Sequence, residues 1–328
     1  MSRTIWFRSG MSSSRPSPLQ DTEFPSRPVD LAGAPADAKV RGRAAPRRWR
    51  QLVPFGLAAP YTLVLIVFLL LPVALIVTIS FWHYSNFVMT PAFVLDNYRL
   101  VFSPVYLKTY LNTFRFAVLV WFFALAIGFP VAYFLSFEIR TTRIRMTLFL
   151  LCTVPFLTSN IIRSISWIPF LGRNGLLNGG LLFLGLIEEP LDIFLFSSVS
   201  VVISMVHLYT LFMVVPIFNN MMRIDHSLLE AARDNGASDW GVIRHVILPL
   251  TSPGIMIGTI FVLALVLGDF ATVRLMSGGQ AASAGLAIRN MISSTQYPPA
   301  AANAVVLLAV TLLVVGGLLR FVDVQKEL

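Results

Sequence analysis

An all-α integral membrane protein of about six transmembrane helices is the fold class this sequence predicts, and three observations carry it. Of 328 residues, 56% are hydrophobic and 12% charged, with a mean hydropathy of +0.75. A soluble domain carries about 25% charged residues. The apolar residues are gathered into runs long enough to cross a hydrocarbon core of ~30 Å, which takes about 20 helical residues. The net charge of +9 is concentrated in a few stretches between these runs.

Residues 1–50 are rich in Ser, Pro, Arg and Ala. They read as a disordered cytoplasmic basic tail, with translation beginning at Met1 or Met11. No apolar core precedes a small-residue cleavage site, so the tail is not a cleaved signal peptide. The transmembrane domain takes up residues 51–328. Its expected spans are Leu57–Phe81, Asn112–Phe137, Met146–Leu171, Phe196–Met221, Pro253–Val273 and Asn303–Phe321. Pro72, Pro130, Pro155 and Pro216 fall inside them, which bundled membrane helices tolerate.

Basic residues orient the spans. Arg41, Arg43, Arg47, Arg48 and Arg50 precede the first span; beside a span, such a patch reads as a cytoplasmic anchor rather than a nucleic-acid site. Arg140, Arg143 and Arg145 follow the second span, Arg223, Arg233 and Arg244 the fourth, and Arg320 and Lys326 the sixth. Both termini are therefore expected in the cytoplasm. The other loops hold Arg99, Lys108, Arg173, Arg274 and Arg289 together with Asp96, Glu188, Glu189 and Asp192. The outer segment Gly172–Phe194 reads as a short interfacial helix or loop.

Cys152 is the single cysteine, so no internal disulfide can form. His83, His207, His226 and His245 are scattered, without metal-ligand spacing, and no metal site or cofactor is expected. No Asp, Glu and His cluster has catalytic spacing, which argues against an enzyme.

The stretch EAARDNGASDWGVIRHVILPL, Glu230–Leu250, is polar between two apolar runs. Asp225 can cap a helix bearing Leu228, Leu229, Ala231 and Ala232. Gly236 suits the left-handed position that ends such a helix, and Ser238 can cap a second one. Pro249 is expected to turn the chain before the fifth span.

The spacing Glu-Ala-Ala, three residues, Gly, nine residues, Val-Ile-Leu-Pro resembles the EAA signature of permease subunits of ATP-binding-cassette importers. Val246 stands where the family usually has Ile. The resemblance implies that a coupling loop at about 223–250 docks on an ATPase subunit through Glu230, Ala231, Ala232, Gly236, Leu248 and Pro249. ATP would be bound by that partner. The only lysines, Lys39, Lys108 and Lys326, do not follow a glycine, so the chain lacks a phosphate-cradling GxxxxGK[ST] loop.

VPFLTSNIIRSISWIPFLGRNGLLN (Val154–Asn178) and LGDFATVRLMSGG (Leu267–Gly279) resemble spermidine/putrescine (PotB-type) permeases over roughly residues 55–325. This implies a bacterial inner-membrane importer with two ATPase copies, a second homologous permease and a periplasmic binding protein. The expected cargo is a polyamine; an opine or other amino-acid derivative, a phosphonate or ferric iron is the alternative. An ion-coupled secondary transporter is the competing class, but no inverted repeat supports it.

Charges inside spans face a cavity or a partner. Counting ~1.5 Å per residue from the cytoplasmic end puts Arg163 and Asp269 at the same outer level. They either pair or line the translocation path, where Asp269 would attract a cation and Arg163 would answer an anion or a carboxylate of the binding protein. Asn160, Ser164, Trp167, His207, Tyr209, Asn219 and Asn220 are further path candidates.

Overall fold

The computed structural model describes residues 60–85 and 88–320; the tail 1–50 and Lys326 lie outside them. Five helices in this region are long and apolar enough to cross a membrane. They are α1 (Pro60–Ile79), α3 (Pro104–Glu138), α7 (Ser198–Met221), α9 (Asp239–Gly268) and α12 (Tyr297–Leu319). A sixth span is possible only as a bent pair, Thr142–Leu157 with Asn160–Phe183, which turns through 92°. The shorter elements are α2 (Asp96–Val101), α4 (Thr142–Thr153), α5 (Asn160–Leu171), α6 (Leu176–Phe183), α8 (His226–Asp234), α10 (Ala271–Met276) and α11 (Ala284–Ser293). A small antiparallel hairpin, β1 (His83–Ser85) with β2 (Val88–Thr90), precedes α2.

The bend replaces the straight third span expected at Met146–Leu171. Pro155 lacks an N–H donor and sits in a 3₁₀ turn, Val154–Leu157. Thr158 is extended, and its hydroxyl donates to the Pro155 carbonyl at 2.7 Å. The polar run Thr158–Asn160 supplies hydrogen-bonding groups where the helix stops, so the break is stable. The fifth span differs too. It ends at Gly268 rather than Val273, and it starts at Asp239, inside the polar loop. Pro249 therefore does not turn the chain. A helical proline ring collides with the carbonyl four residues earlier; here that is His245, which lies in a wide π-turn, Ile243–Ile247. The wider turn lets the helix run on through the proline.

The bundle is built around α3, α7 and α9, which pack against one another. Residues buried along α7 include Val201, Met205, Leu208, Met213, Ile217 and Met221. Small residues bring α9 close to it. A Cβ at Gly254 would stand 2.6 Å from the Pro216 carbonyl oxygen, and one at Gly258 2.7 Å from Met213 Sδ. Polar ties fix the register. Trp121 Nε1 donates to Thr259 Oγ1 at 2.9 Å between α3 and α9, and Tyr110 OH donates to the Asn303 carbonyl at 3.0 Å between α3 and α12. By contrast, α1 has no buried residue and lies along α12.

The segment after α5 is the short helix expected between Gly172 and Phe194. Asn178, fully buried, closes it by donating to the Gly172 and Leu191 carbonyls while its Oδ1 accepts from Leu191 N.

Candidate functional site

Two regions carry most of the sequence-predicted site residues, the polar loop between α7 and α9 and a buried polar cluster at the other end of α9. Asp225 Oδ1 accepts from Ser227 N at 3.0 Å and caps α8. That backbone hydrogen bond holds the Asp225 carboxyl below the usual carboxylate range. At the far end Gly236 has φ 84°, Gly236 N donates to the Arg233 carbonyl at 2.8 Å, and Ala237 N donates to the Ala232 carbonyl at 3.0 Å. These paired bonds form a Schellman motif, and the left-handed glycine is what closes it. Ser238 Oγ then accepts from Gly241 N and caps the start of α9. Arg233 bridges the turn to Asp239 at 3.2 Å.

The inner face of this loop is anchored. Leu229, Val242 and Ile247 are buried, and Ala232, Ala237 and Val246 pack against the same core. Its outer face is free. Glu230 and Ala231 are exposed, and Glu230 enters no hydrogen bond or ion pair among the described residues. Leu248 and Pro249 are exposed on the continuous α9. Leu228 and Trp240 add apolar surface, with Trp240 69% exposed. Sequence reasoning passed over Trp240; its only signal was a large aromatic in the first turn of a helix in an otherwise charged loop.

The second region gathers Asn160, Arg163 and Asp269. Asp269 lies between α9 and α10 with an extended backbone, not inside a helix. Its Oδ1 accepts from Thr272 N at 3.0 Å, capping α10, and its Oδ2 accepts from Tyr209 OH at 2.8 Å. Tyr209, one of the path candidates read from the sequence, is buried on α7 and supplies that hydroxyl. Arg163 is also buried, in the first turn of α5 after the bend, so its depth does not follow from counting residues along a straight span. Its Nη2 donates to Asn160 Oδ1, and the guanidinium carbon lies 4.5 Å from the centroid of the Phe156 ring. Nε and Nη1 are buried without partners. Arg163 and Asp269 form no ion pair, although α10 packs on α5.

Trp167 and His207 belong elsewhere. Trp167 Nε1 donates to His207 Nδ1 at 3.1 Å, and the pair walls a cavity of about 720 Å³ between α3, α5 and α7. His207 is exposed, so it is not a buried core histidine. Its acceptor nitrogen fits the neutral ring. Most of the predicted path residues thus divide between a buried polar cluster and the wall of an open apolar groove.

A helical bundle of this kind, with a capped helix–glycine–helix loop outside it, defines a multi-pass membrane protein. No protein-family model matches the chain. The spermidine/putrescine transport system permease protein PotB of Salmonella typhimurium (strain SL1344) is 34% identical over 261 residues, covering 79% of this chain and 88% of PotB. The inner membrane ABC transporter permease protein YdcU of Escherichia coli (strain K12) is 29% identical over 230 residues, 66% of this chain and 71% of YdcU. Among solved structures, a bacterial ABC transporter that imports the acidic polysaccharide alginate superimposes with a TM-score of 0.69 at 19% identity, covering 84% of this chain and 98% of that one. The chain belongs to the PotB family of ABC-transporter permeases, and it is a multi-pass membrane protein.

Proposed function

We propose that this chain is one permease of a binding-protein-dependent importer and that its loop between α7 and α9 is where ATP hydrolysis by a partner subunit is coupled to transport. One observation carries this reading: Glu230 is exposed and unpaired on a loop whose other face is anchored in the core and whose hinge is a left-handed glycine. Anchoring on one side and availability on the other is what force transmission needs. Glu230 offers its carboxylate to a basic residue of the ATPase. Leu228 and Trp240 supply the apolar contact that interfaces concentrate at their centre.

The full assembly on this reading has two ATPase copies, a second permease and a periplasmic solute-binding protein, with both termini in the cytoplasm. The cargo is a polyamine, as the name of the PotB relative suggests. Asp269, half-buried beside Tyr209 and Thr272, keeps lone pairs free for an ammonium group. Arg163 keeps two donors for a carboxylate. The fold does not decide the cargo, since the superimposable importer carries a polyanion.

The test is reconstitution with the cognate ATPase and binding protein, followed by Glu230→Ala and Gly236→Val. Both variants should lose most of the ATPase stimulation by liganded binding protein. Full stimulation with full transport in both would overturn the coupling role. Titrating the binding protein with spermidine and putrescine tests the cargo independently; tight binding of an anion alone would overturn it.

A further inference from the structure

The cavity walled by Trp167 and His207 does not end at Arg115. A second hollow, about 690 Å³, begins there and is lined by Lys108, Asn112, Arg115 and Gln280. The two share Arg115 and Ser198, so they form one continuous groove along α3 and α7. Its two halves differ in chemistry. From Arg115 to Ile127 on α3, and from Ser198 to Thr210 on α7, the walls are almost wholly apolar. Both stretches hold thirteen residues, twelve rises of ~1.5 Å or ~18 Å in all. That is close to one leaflet of a hydrocarbon core ~30 Å thick.

The other half is basic. Lys108 and Arg115 are seven residues apart, two turns along one face of α3. Both are exposed, and neither enters an ion pair or hydrogen bond among the described residues. No acidic side chain lines either hollow. Asn112 donates to the Ala282 carbonyl at 2.7 Å and so fixes the roof of the basic half. A polycation is repelled by two unneutralised cations, so the groove is a poor path for the proposed cargo.

We propose that this groove is a binding site for an anionic phospholipid, with the phosphate at Lys108 and Arg115 and one acyl chain laid between α3 and α7 against Trp167. Charge and length both match. A headgroup phosphate meets two cations at the polar end, and the apolar trough has the depth of one leaflet. Each cation near an anionic lipid contributes ~1 kcal/mol, about fivefold in binding.

The full-length permease, reconstituted in phosphatidylcholine nanodiscs, tests this by tryptophan quenching. Phosphatidylglycerol and phosphatidylcholine carrying the same brominated acyl chains are titrated separately. Phosphatidylglycerol should reach half-quenching at a roughly 25-fold lower mole fraction, and Trp167→Phe should remove that difference. The double variant Lys108→Gln, Arg115→Gln should bring the two lipids together; both positions are exposed, so its fold is retained. Val202→Phe, which fills the trough without touching the cations or adding a fluorophore, should weaken quenching by both lipids. Equal quenching by the two lipids in the wild type would overturn the proposal. So would disulfide cross-linking of Leu119→Cys to the second permease in the assembled importer, because the trough would then hold a protein helix. Displacement of the brominated lipid by free glycerol phosphate would show an anion site alone and overturn the lipid assignment.

Discussion

Asp225 and Tyr209 show how single side chains set the geometry at the two ends of the bundle. The Asp225 carboxylate accepts from Ser227 N, and its pKa is depressed on folding. A depressed carboxylate contributes stability above its unfolded pKa of about 3.9 and loses it as pH falls through the folded value. The first turn of α8 should therefore lose amide protection, measured against the intrinsic exchange rate at each pH, below about pH 4. Asp225→Asn keeps the cap and should abolish that pH dependence; an unchanged acid response in the variant would show that another group is responsible. Tyr209 acts on Asp269, holding Oδ2 while Thr272 N holds Oδ1. Tyr209→Phe removes one hydrogen bond to a half-buried charge, a loss of about 1–3 kcal/mol. Uptake of polyamine should fall, while the Thr272 bond keeps α10 capped. Wild-type uptake in the variant would mean that the orientation of Asp269 does not matter for transport.

The contact between α7 and α9 rests on glycines whose importance differs sharply by position. A Cβ at Gly254 would press on the Pro216 carbonyl oxygen at 2.6 Å, whereas nothing lies within 4 Å of one at Gly316 on α12. Gly254→Ala should therefore cost about 1–3 kcal/mol through forced backbone shifts and lower the melting temperature of the purified protein. Gly316→Ala should be neutral or stabilising by up to ~1 kcal/mol. Equal melting temperatures for the two variants would contradict the close contact. This difference was not legible in the sequence, because it depends on which residue stands opposite. The same limit explains the other departures. Long apolar periodicity located α1, α3, α7, α9 and α12, and Asp225, Gly236 and Ser238 marked the caps because capping is a local event. The break at Thr158–Asn160 was written in Pro155 and three polar residues, but an apolar count over a span averages them away. The run of α9 through Pro249 depended on a π-turn, a backbone choice with no residue signature. Tyr209 was missed as the partner of Asp269 because the two are sixty residues apart on different elements.

At the scale of the whole molecule, orientation is decided by very few residues. Among the described residues, Arg140, Arg143, Arg145, Arg223, Arg233, Arg244 and Arg320 lie toward the coupling-loop end. Arg99, Lys108, Arg115, Arg173, Arg274 and Arg289 lie toward the other. Arg99 and Arg173 are paired with Asp96 and Asp192 at 3.1 and 3.3 Å, but acidic residues contribute little to topology, which follows the count of Lys and Arg. That count is nearly even until the tail is added. Arg41, Arg43, Arg47, Arg48 and Arg50 then tip it toward a cytoplasmic N-terminus. The expected outcome can be read by cysteine labelling in a Cys152→Ser background, which removes the single native cysteine. Glu188→Cys should label in intact spheroplasts with a membrane-impermeant maleimide, and Asp234→Cys only after permeabilisation. Replacing the five tail arginines with serine should yield a mixed population, in which part of the Asp234→Cys protein labels from outside. Uniform wild-type labelling in that variant would move the orienting signal into the bundle, and labelling of Asp234→Cys in intact spheroplasts would place the coupling loop where no ATPase could reach it.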